Sequence, residues 1–110
     1  AFSFRYGIDI MKDMGLDLRV IRAGNANMFL SPVFRQTLAN VANATIELYD
    51  TDGAQGAARG AGLGAGIFAT TGAAFGSLKR MGEVTPQKAE AGATATAYAA
   101  WLTHLQDAIR

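Results

Sequence analysis

Apolar residues at Phe4, Ile8 and Met11 recur at helical spacing, while Phe2, Phe4, Tyr6, Ile8 and Ile10 alternate with Ser3, Arg5, Gly7 and Asp9 as a strand would. Two further features favour a helix over residues 1–14. Arg5 and Asp9 can pair at i,i+4, and Gly15 stands where a helix-ending glycine belongs. Leu18-Arg19-Val20-Ile21-Arg22 is β-branched and apolar enough for a short strand, and it runs into the small, turn-forming segment Ala23-Gly24-Asn25-Ala26-Asn27. Ser31-Pro32 then predicts a helix start, with Ser31 as the cap and Pro32 at the first helical position. Phe34, Leu38 and Val41 give that helix its apolar stripe, and Asn43 is suited to the left-handed residue that ends it.

Thr45-Ile46-Glu47-Leu48-Tyr49 predicts a second strand, Thr51-Asp52-Gly53 a turn, and Ala54 to Phe68 a long helix of small residues. Strands alternating with helices imply βαβ crossovers and a parallel sheet. Beyond Phe68, Thr71 is expected to cap a short helix through Leu78, and Gly82-Glu83-Val84-Thr85-Pro86 reads as an extended connection, since the residue before proline avoids helix. Residues 87–97 fit a loop or the start of a helix. Tyr98, Trp101, Leu102, Leu105 and Ile109 form the face of a last helix.

Composition narrows what this α/β chain can do. With 110 residues it is one domain at most, and 50% hydrophobic residues make it globular. Its net charge of +1 and scattered Lys and Arg exclude the basic stripe of a nucleic-acid binder. No apolar run is long enough to span a bilayer. The absence of cysteine removes disulfides, thiolate catalysis and zinc–cysteine sites, and fits a reducing, cytoplasmic setting. The first residues lack both a starting Met and a signal-peptide pattern, as though cut from a longer chain. So small a chain, with so few reactive side chains, is expected to be part of an intracellular α/β protein and not a complete enzyme.

Two segments invite a chemical reading. Gly60-Ala61-Gly62-Leu63-Gly64-Ala65 contains the G-x-G-x-x-A dinucleotide pattern, but a working fingerprint turns directly out of a strand, and this one falls inside the expected helix. Gly56, Gly60 and Gly64 instead recur every fourth residue, alongside Ala57, Ala61 and Ala65. The spacing predicts a helix face without bulk, against which a sheet or helix packs closely enough to offset the poor helix propensity of glycine.

The second segment is Gly24-Asn25-Ala26-Asn27, at the end of the first strand. Ligands of open α/β sheets bind beyond the carboxyl ends of strands, and the Asn25 and Asn27 amides suit a nucleobase or ribose. Met28 and Phe29 could add an apolar contact for a base. An ordinary left-handed turn accounts for the same residues. The remaining polar residues are expected to be structural: His104 is a solvated residue on the last helix, Glu47 is on the exposed side of a strand, and Asp50 and Asp52 hydrogen-bond turn backbone rather than a metal. There is neither a G-x-S-x-G elbow nor a G-x-x-x-x-G-K-[ST] phosphate loop.

The order of segments resembles the C-terminal end of FGGY-family carbohydrate kinases, above all the xylulose kinase-like members. In that family a helix and a strand lead into a Gly-Gly-Gly-Ala-like loop, whose place is held here by Ile21-Arg22-Ala23-Gly24-Asn25-Ala26. Ser31-Pro32-Val33-Phe34-Arg35-Gln36-Thr37-Leu38-Ala39 matches the helix that opens with Pro and then Trp-Arg-Gln, with Phe34 in the place of Trp. Gly56-Ala57-Ala58-Arg59-Gly60-Ala61-Gly62 matches the small-residue helix, and Pro86 and the final amphipathic helix match the tail. The chain departs from the family at Asn25, where glycine is usual, and in the longer stretch Asn27-Met28-Phe29-Leu30.

The resemblance covers the whole chain and implies a helix over residues 1–14. It also implies that residues 1–110 are the C-terminal part of the second, nucleotide-binding domain of an actin-like ATPase (ribonuclease H-like) fold, with two short strands and four to five helices. The activity implied is transfer of the γ-phosphate of ATP, with Mg²⁺, to a sugar hydroxyl, D-xylulose above all; the catalytic aspartate, metal ligands and sugar-binding residues would lie upstream. What carries over is nucleotide binding by Gly24, Asn25, Ala26 and Asn27 against the adenine, with Phe29 beside them. The partners are then sugar and ATP, without nucleic acid or membrane. With only two strands of a five-stranded sheet in view, an uncovered sheet edge or the first helix is expected to pair into a homo-oligomer. Two other readings are a non-catalytic interaction module that docks through the small-residue helix, and a dinucleotide-binding domain.

Overall fold

The computed structural model describes residues 1–110. The first helix, α1 (Phe2–Asp13), forms as expected, and Gly15 just beyond it has φ of +93°, which only glycine adopts cheaply. Strand β1 is Val20–Gly24, shifted toward the chain terminus from the expected Leu18–Arg22. A 3-10 turn, Asn27–Leu30, leads into α2 (Pro32–Ala42). The Ser31 hydroxyl accepts the Phe34 amide at 3.2 Å, and Asn43 ends α2 in the left-handed region at φ 50°, ψ 49°, both as the sequence indicates. Strand β2 (Thr45–Tyr49) follows as expected, then α3 (Gly53–Gly64), a short α4 (Thr71–Phe75), β3 (Arg80–Val84), a 3-10 turn (Lys88–Glu90) and α5 (Ala91–Ala108). Asp52, in the expected turn, starts α3 by accepting the Gln55 amide at 2.8 Å. One cap falls a residue from its expected position: Thr70 rather than Thr71 caps α4, accepting Ala73 N–H at 3.1 Å.

The sheet has three strands in the order β1-β2-β3, not two. β1 and β2 run parallel, joined by α2 as a βαβ unit, in the register Ile21 to Ile46 and Ala23 to Leu48. β3 adds antiparallel to the other side of β2, with Val84 opposite Ile46 and Gly82 opposite Leu48, so the sheet is mixed rather than parallel. The extended connection expected at Gly82–Pro86 is thus partly a strand. Arg80-Met81-Gly82-Glu83-Val84 contains two charges and a glycine, so its pairing comes from the neighbouring strand and not from local propensity.

One face of the sheet is covered. Ile46 and Leu48 point to α2, where Leu38, Ala39 and Ala42 meet them, and Ile8 of α1 closes the cluster. α5 reaches this layer through aromatic contacts: Phe2 of α1 lies 5.6 Å from Tyr98 and 6.0 Å from Trp101. The alternation of Ile46 and Leu48 inward with Thr45, Glu47 and Tyr49 outward is the period of a half-covered sheet. Just 11 of 110 residues are buried, which leaves the core small. No helix is long and apolar enough to cross a membrane.

Candidate functional site

Both parallel strands end on the same side of the sheet, and their last residues, Gly24 and Tyr49, are register partners. The chain leaves them in tight turns. Asn25 N–H and Thr51 N–H both donate to the Tyr49 carbonyl at 2.8 Å, and Ala26 N–H donates to the Gly24 carbonyl at 2.8 Å. Position 24 needs glycine for space, since a Cβ there would stand 2.5 Å from the Thr51 carbonyl oxygen. The close approach of β1's end to the start of α3 therefore depends on the absence of a side chain.

Two clefts open around Gly24. The larger, about 670 Å³, lies between Arg22, Ala23 and Gly24 on one side and Tyr49, Thr51, Asp52, Gly53 and Gly56 on the other. Thr71, Phe75, Gly76 and Leu78 from α4 and the turn after it close it. Its size is within the range of small-molecule sites. The smaller, about 340 Å³, is bounded by Ile21 to Gly24, by Ala26, Asn27, Met28 and Phe29, and by Asp52 and Gly53. Arg22, Ala23, Gly24, Asp52 and Gly53 border both.

Of the residues expected to bind a nucleotide, Gly24, Ala26, Asn27 and Phe29 come together around the smaller cleft. Asn27 holds φ of 54°, the left-handed geometry expected of this turn. Phe29 also belongs to the core: its ring meets Phe34 edge-on at 5.5 Å, and its carbonyl accepts Arg35 Nη1 at 3.2 Å. Asn25 lines neither cleft; its Oδ1 is buried and has no hydrogen-bond partner. Sequence reasoning gave Asp52 only a turn role and no site role to Tyr49, Thr51 or Gly53; all four face Gly24 across the larger cleft. The rule that pointed to the end of β1 applies equally to the end of β2, so the parallel pairing held the signal. Nothing local marks Thr71 to Leu78.

The electrostatics of the site centre on Glu47. Its Oε1 accepts Arg22 Nε at 3.1 Å and the Tyr49 hydroxyl at 3.1 Å, and its Oε2 lies 3.4 Å from Arg80 Nη1. Partial burial pushes the Glu47 carboxyl up, but the hydrogen bonds from Tyr49 and Arg22 and the charges of Arg80 and Arg22 outweigh it and hold the group below its ordinary range. Glu47 thereby anchors two cleft residues, Arg22 and Tyr49, from beneath. Glu83 adds a further ion pair to Arg80.

The other polar candidates have structural partners. Asp50 Oδ1 accepts Lys79 N–H at 2.7 Å, tying the end of β2 to the start of β3, and Asp52 caps α3. His104 is exposed on α5. No group of three His, Cys, Asp or Glu is placed to hold a metal ion. The G-x-G-x-x-A pattern lies within and just past the end of α3, so it is no strand-to-helix turn. The close packing expected along that helix is also missing: a Cβ at Gly56, Gly60 or Gly64 would meet nothing within 4 Å, and only Gly62 is tightly packed, with the Phe68 ring 2.8 Å from where its Cβ would be. The arrangement offers backbone amides, small residues, a few hydroxyls and the charged side chains of Arg22 and Asp52 around an open space, which suits holding a flat polar group. No protein-family model matches the chain, and no curated protein sequence matches it.

Proposed function

We propose that this chain supplies the adenine side of the ATP pocket in a sugar kinase of the FGGY type, with Gly24, Ala26 and Asn27 lying against the base and Phe29 beside them. The observation that carries this reading is the position of these residues at the carboxyl end of a parallel strand, next to the start of α3, with open clefts on both sides of Gly24. Larger-cleft residues Tyr49, Thr51 and Gly53 extend the surface available to the nucleotide. In the full reaction the γ-phosphate passes from ATP to a sugar hydroxyl, D-xylulose in this reading, and the protein's contribution is mostly positioning and charge stabilisation. By the same resemblance, the Mg²⁺ ligands and the base that takes the hydroxyl proton are expected in parts of such an enzyme upstream of these residues.

The test is titration of the ¹⁵N-labelled chain with adenosine, ADP and NAD, followed by amide chemical shifts. Weak, saturable shifts with adenosine and ADP at Gly24, Ala26, Asn27 and Gly53 are expected, since only one side of the pocket is present. Adenosine and ADP leaving these amides unmoved would overturn the nucleotide role. Tight binding of NAD alone would favour a dinucleotide site instead.

The second reading, a non-catalytic interaction module, is favoured by one observation: the small-residue face of α3 around Gly60 and Gly64 has nothing packed on it. That reading expects no adenine-dependent shift anywhere.

A further inference from the structure

Resting on the adenine site proposed for Gly24, Ala26 and Asn27, we propose that Arg22 binds the diphosphate of the nucleotide. The base then lies in the smaller cleft and the phosphates cross Gly24 into the larger one. The loop from Ala23 to Leu30 contains no charged residue, so a cation for the phosphates has to come from another part of the clefts. Arg22 is the one basic residue that lines either cleft, and it lines both. Ala23, Gly24, Asp52 and Gly53 are shared as well, so a ligand longer than a base can follow a common wall from one cleft to the other.

The contacts of Arg22 leave its outer edge free. Nε donates to Glu47 Oε1 at 3.1 Å, and neither terminal nitrogen has a hydrogen-bond partner. What remains is the end of the guanidinium, whose two parallel N–H groups match two oxygens of a phosphate. The side chain is 75% exposed, so these donors are open to a ligand. Glu47 is itself held in place. Its Oε1 also accepts the Tyr49 hydroxyl at 3.1 Å, its Oε2 lies 3.4 Å from Arg80 Nη1, and its side chain is only 15% exposed. Glu47 is therefore a fixed tether, which limits the rotamer freedom that a long exposed arginine would otherwise lose on binding.

The strand geometry sets the path. Arg22 and Gly24 are two residues apart in β1, so they share a face of the sheet. Glycine at 24 puts no side chain between the guanidinium and the end of the strand. Beyond that point the larger cleft adds Thr51 and Thr71, whose hydroxyls can donate to phosphate oxygens. Asp52 is the one acidic residue lining either cleft. Its Oδ1 accepts Gln55 N–H at 2.8 Å, so its charge is matched to the positive end of α3 and does not oppose Arg22 unscreened.

The experiment titrates the ¹⁵N-labelled chain with adenosine, ADP and inorganic pyrophosphate, following backbone amides and the Arg22 Nε–H by NMR. ADP is expected to bind about tenfold more tightly than adenosine, the gain of one charge-assisted paired contact. ADP should shift the Arg22 Nε–H, and adenosine should leave it in place. The preference for ADP should shrink as ionic strength rises. Arg22→Gln, checked for native circular dichroism, should bring ADP to the affinity of adenosine, with adenosine shifts at Gly24, Ala26 and Asn27 retained. Arg22→Lys should recover part of the preference, since it restores the charge without the paired donors. Equal affinity for ADP and adenosine in the parent chain, or a preference that survives Arg22→Gln, would sink the role of Arg22 and leave the adenine site standing. Pyrophosphate saturating Arg22 as readily as ADP does would also sink it, by revealing an anion site unconnected with the base. Absence of any adenosine shift is the distinct outcome that removes the adenine site itself, and Arg22's role with it.

Discussion

The Tyr98 hydroxyl donates to Asp9 Oδ2 at 3.1 Å, tying the last helix to the first across 89 positions of sequence. Asp9 Oδ1 takes Arg5 Nε at 2.8 Å, the i,i+4 pair legible in the sequence. Arg5 also donates through Nη1 to the Val41 carbonyl at 2.5 Å and lies 4.7 Å from the centre of the Tyr98 ring. One arginine and one aspartate thus join α1, α2 and α5.

Tyr98→Phe keeps the aromatic packing on Phe2 and Trp101 and loses the hydroxyl bond, so it should cost about 0.5–1.5 kcal/mol in urea denaturation at neutral pH. Tyr98→Ala removes the ring as well and should cost roughly 3–5 kcal/mol. Burial raises the Tyr98 phenol above its ordinary range, and the Asp9 hydrogen bond and charge add to this while Arg5 opposes it. Since the folded pKa exceeds the unfolded one, this stabilisation is complete below the ordinary tyrosine range and is lost as pH rises through the folded value. Stability against alkali should therefore fall more gently in Tyr98→Phe than in the parent.

Glu47→Gln tests the other coupled group. The folded carboxyl titrates below its unfolded value, so its contribution is present above the unfolded pKa and is lost as pH falls through the folded one. The variant should be less stable than the parent at neutral pH and should show a flatter acid limb. A carbon-detected NMR titration of the Glu47 carboxyl should give a midpoint below that of an unstructured peptide.

Gly24→Ala places a methyl group 2.5 Å from the Thr51 carbonyl oxygen, which is backbone and cannot swing away. A loss of about 1–3 kcal/mol is expected in thermal or denaturant unfolding, as for other overpacked sites. Amide shifts should change at Thr51 and Asp52, the opposite wall of the larger cleft.

Gly60→Ala and Gly62→Ala should differ although both lie in α3. Nothing stands within 4 Å of a Cβ at Gly60, so alanine there should stabilise by about 0.5–1 kcal/mol through helix propensity. At Gly62 the Phe68 ring would have to move from 2.8 Å, offsetting part or all of the same gain. Paired melting curves would separate the two; equal shifts would contradict the packing described around Phe68.

The sequence by itself determined the local elements whose signals are short-range. Ser31-Pro32 opens α2 and Asn43 closes it because a hydroxyl cap, a fixed proline φ and a left-handed asparagine act within one turn. Ile46 and Leu48 announce β2 by alternation alone. Tertiary structure decided what depends on distant partners. Arg80–Val84 became a strand because β2 presents a free edge beside it, and only the parallel pairing of β1 with β2 set Tyr49 and Thr51 against Gly24. Spacing in α3 was legible, yet whether anything packs on Gly56, Gly60 and Gly64 is a matter of which surfaces approach them, and in this chain none does. A cap or a turn is fixed by atoms a few bonds away, whereas sheet order, cleft walls and free edges arise only when residues far apart in sequence meet.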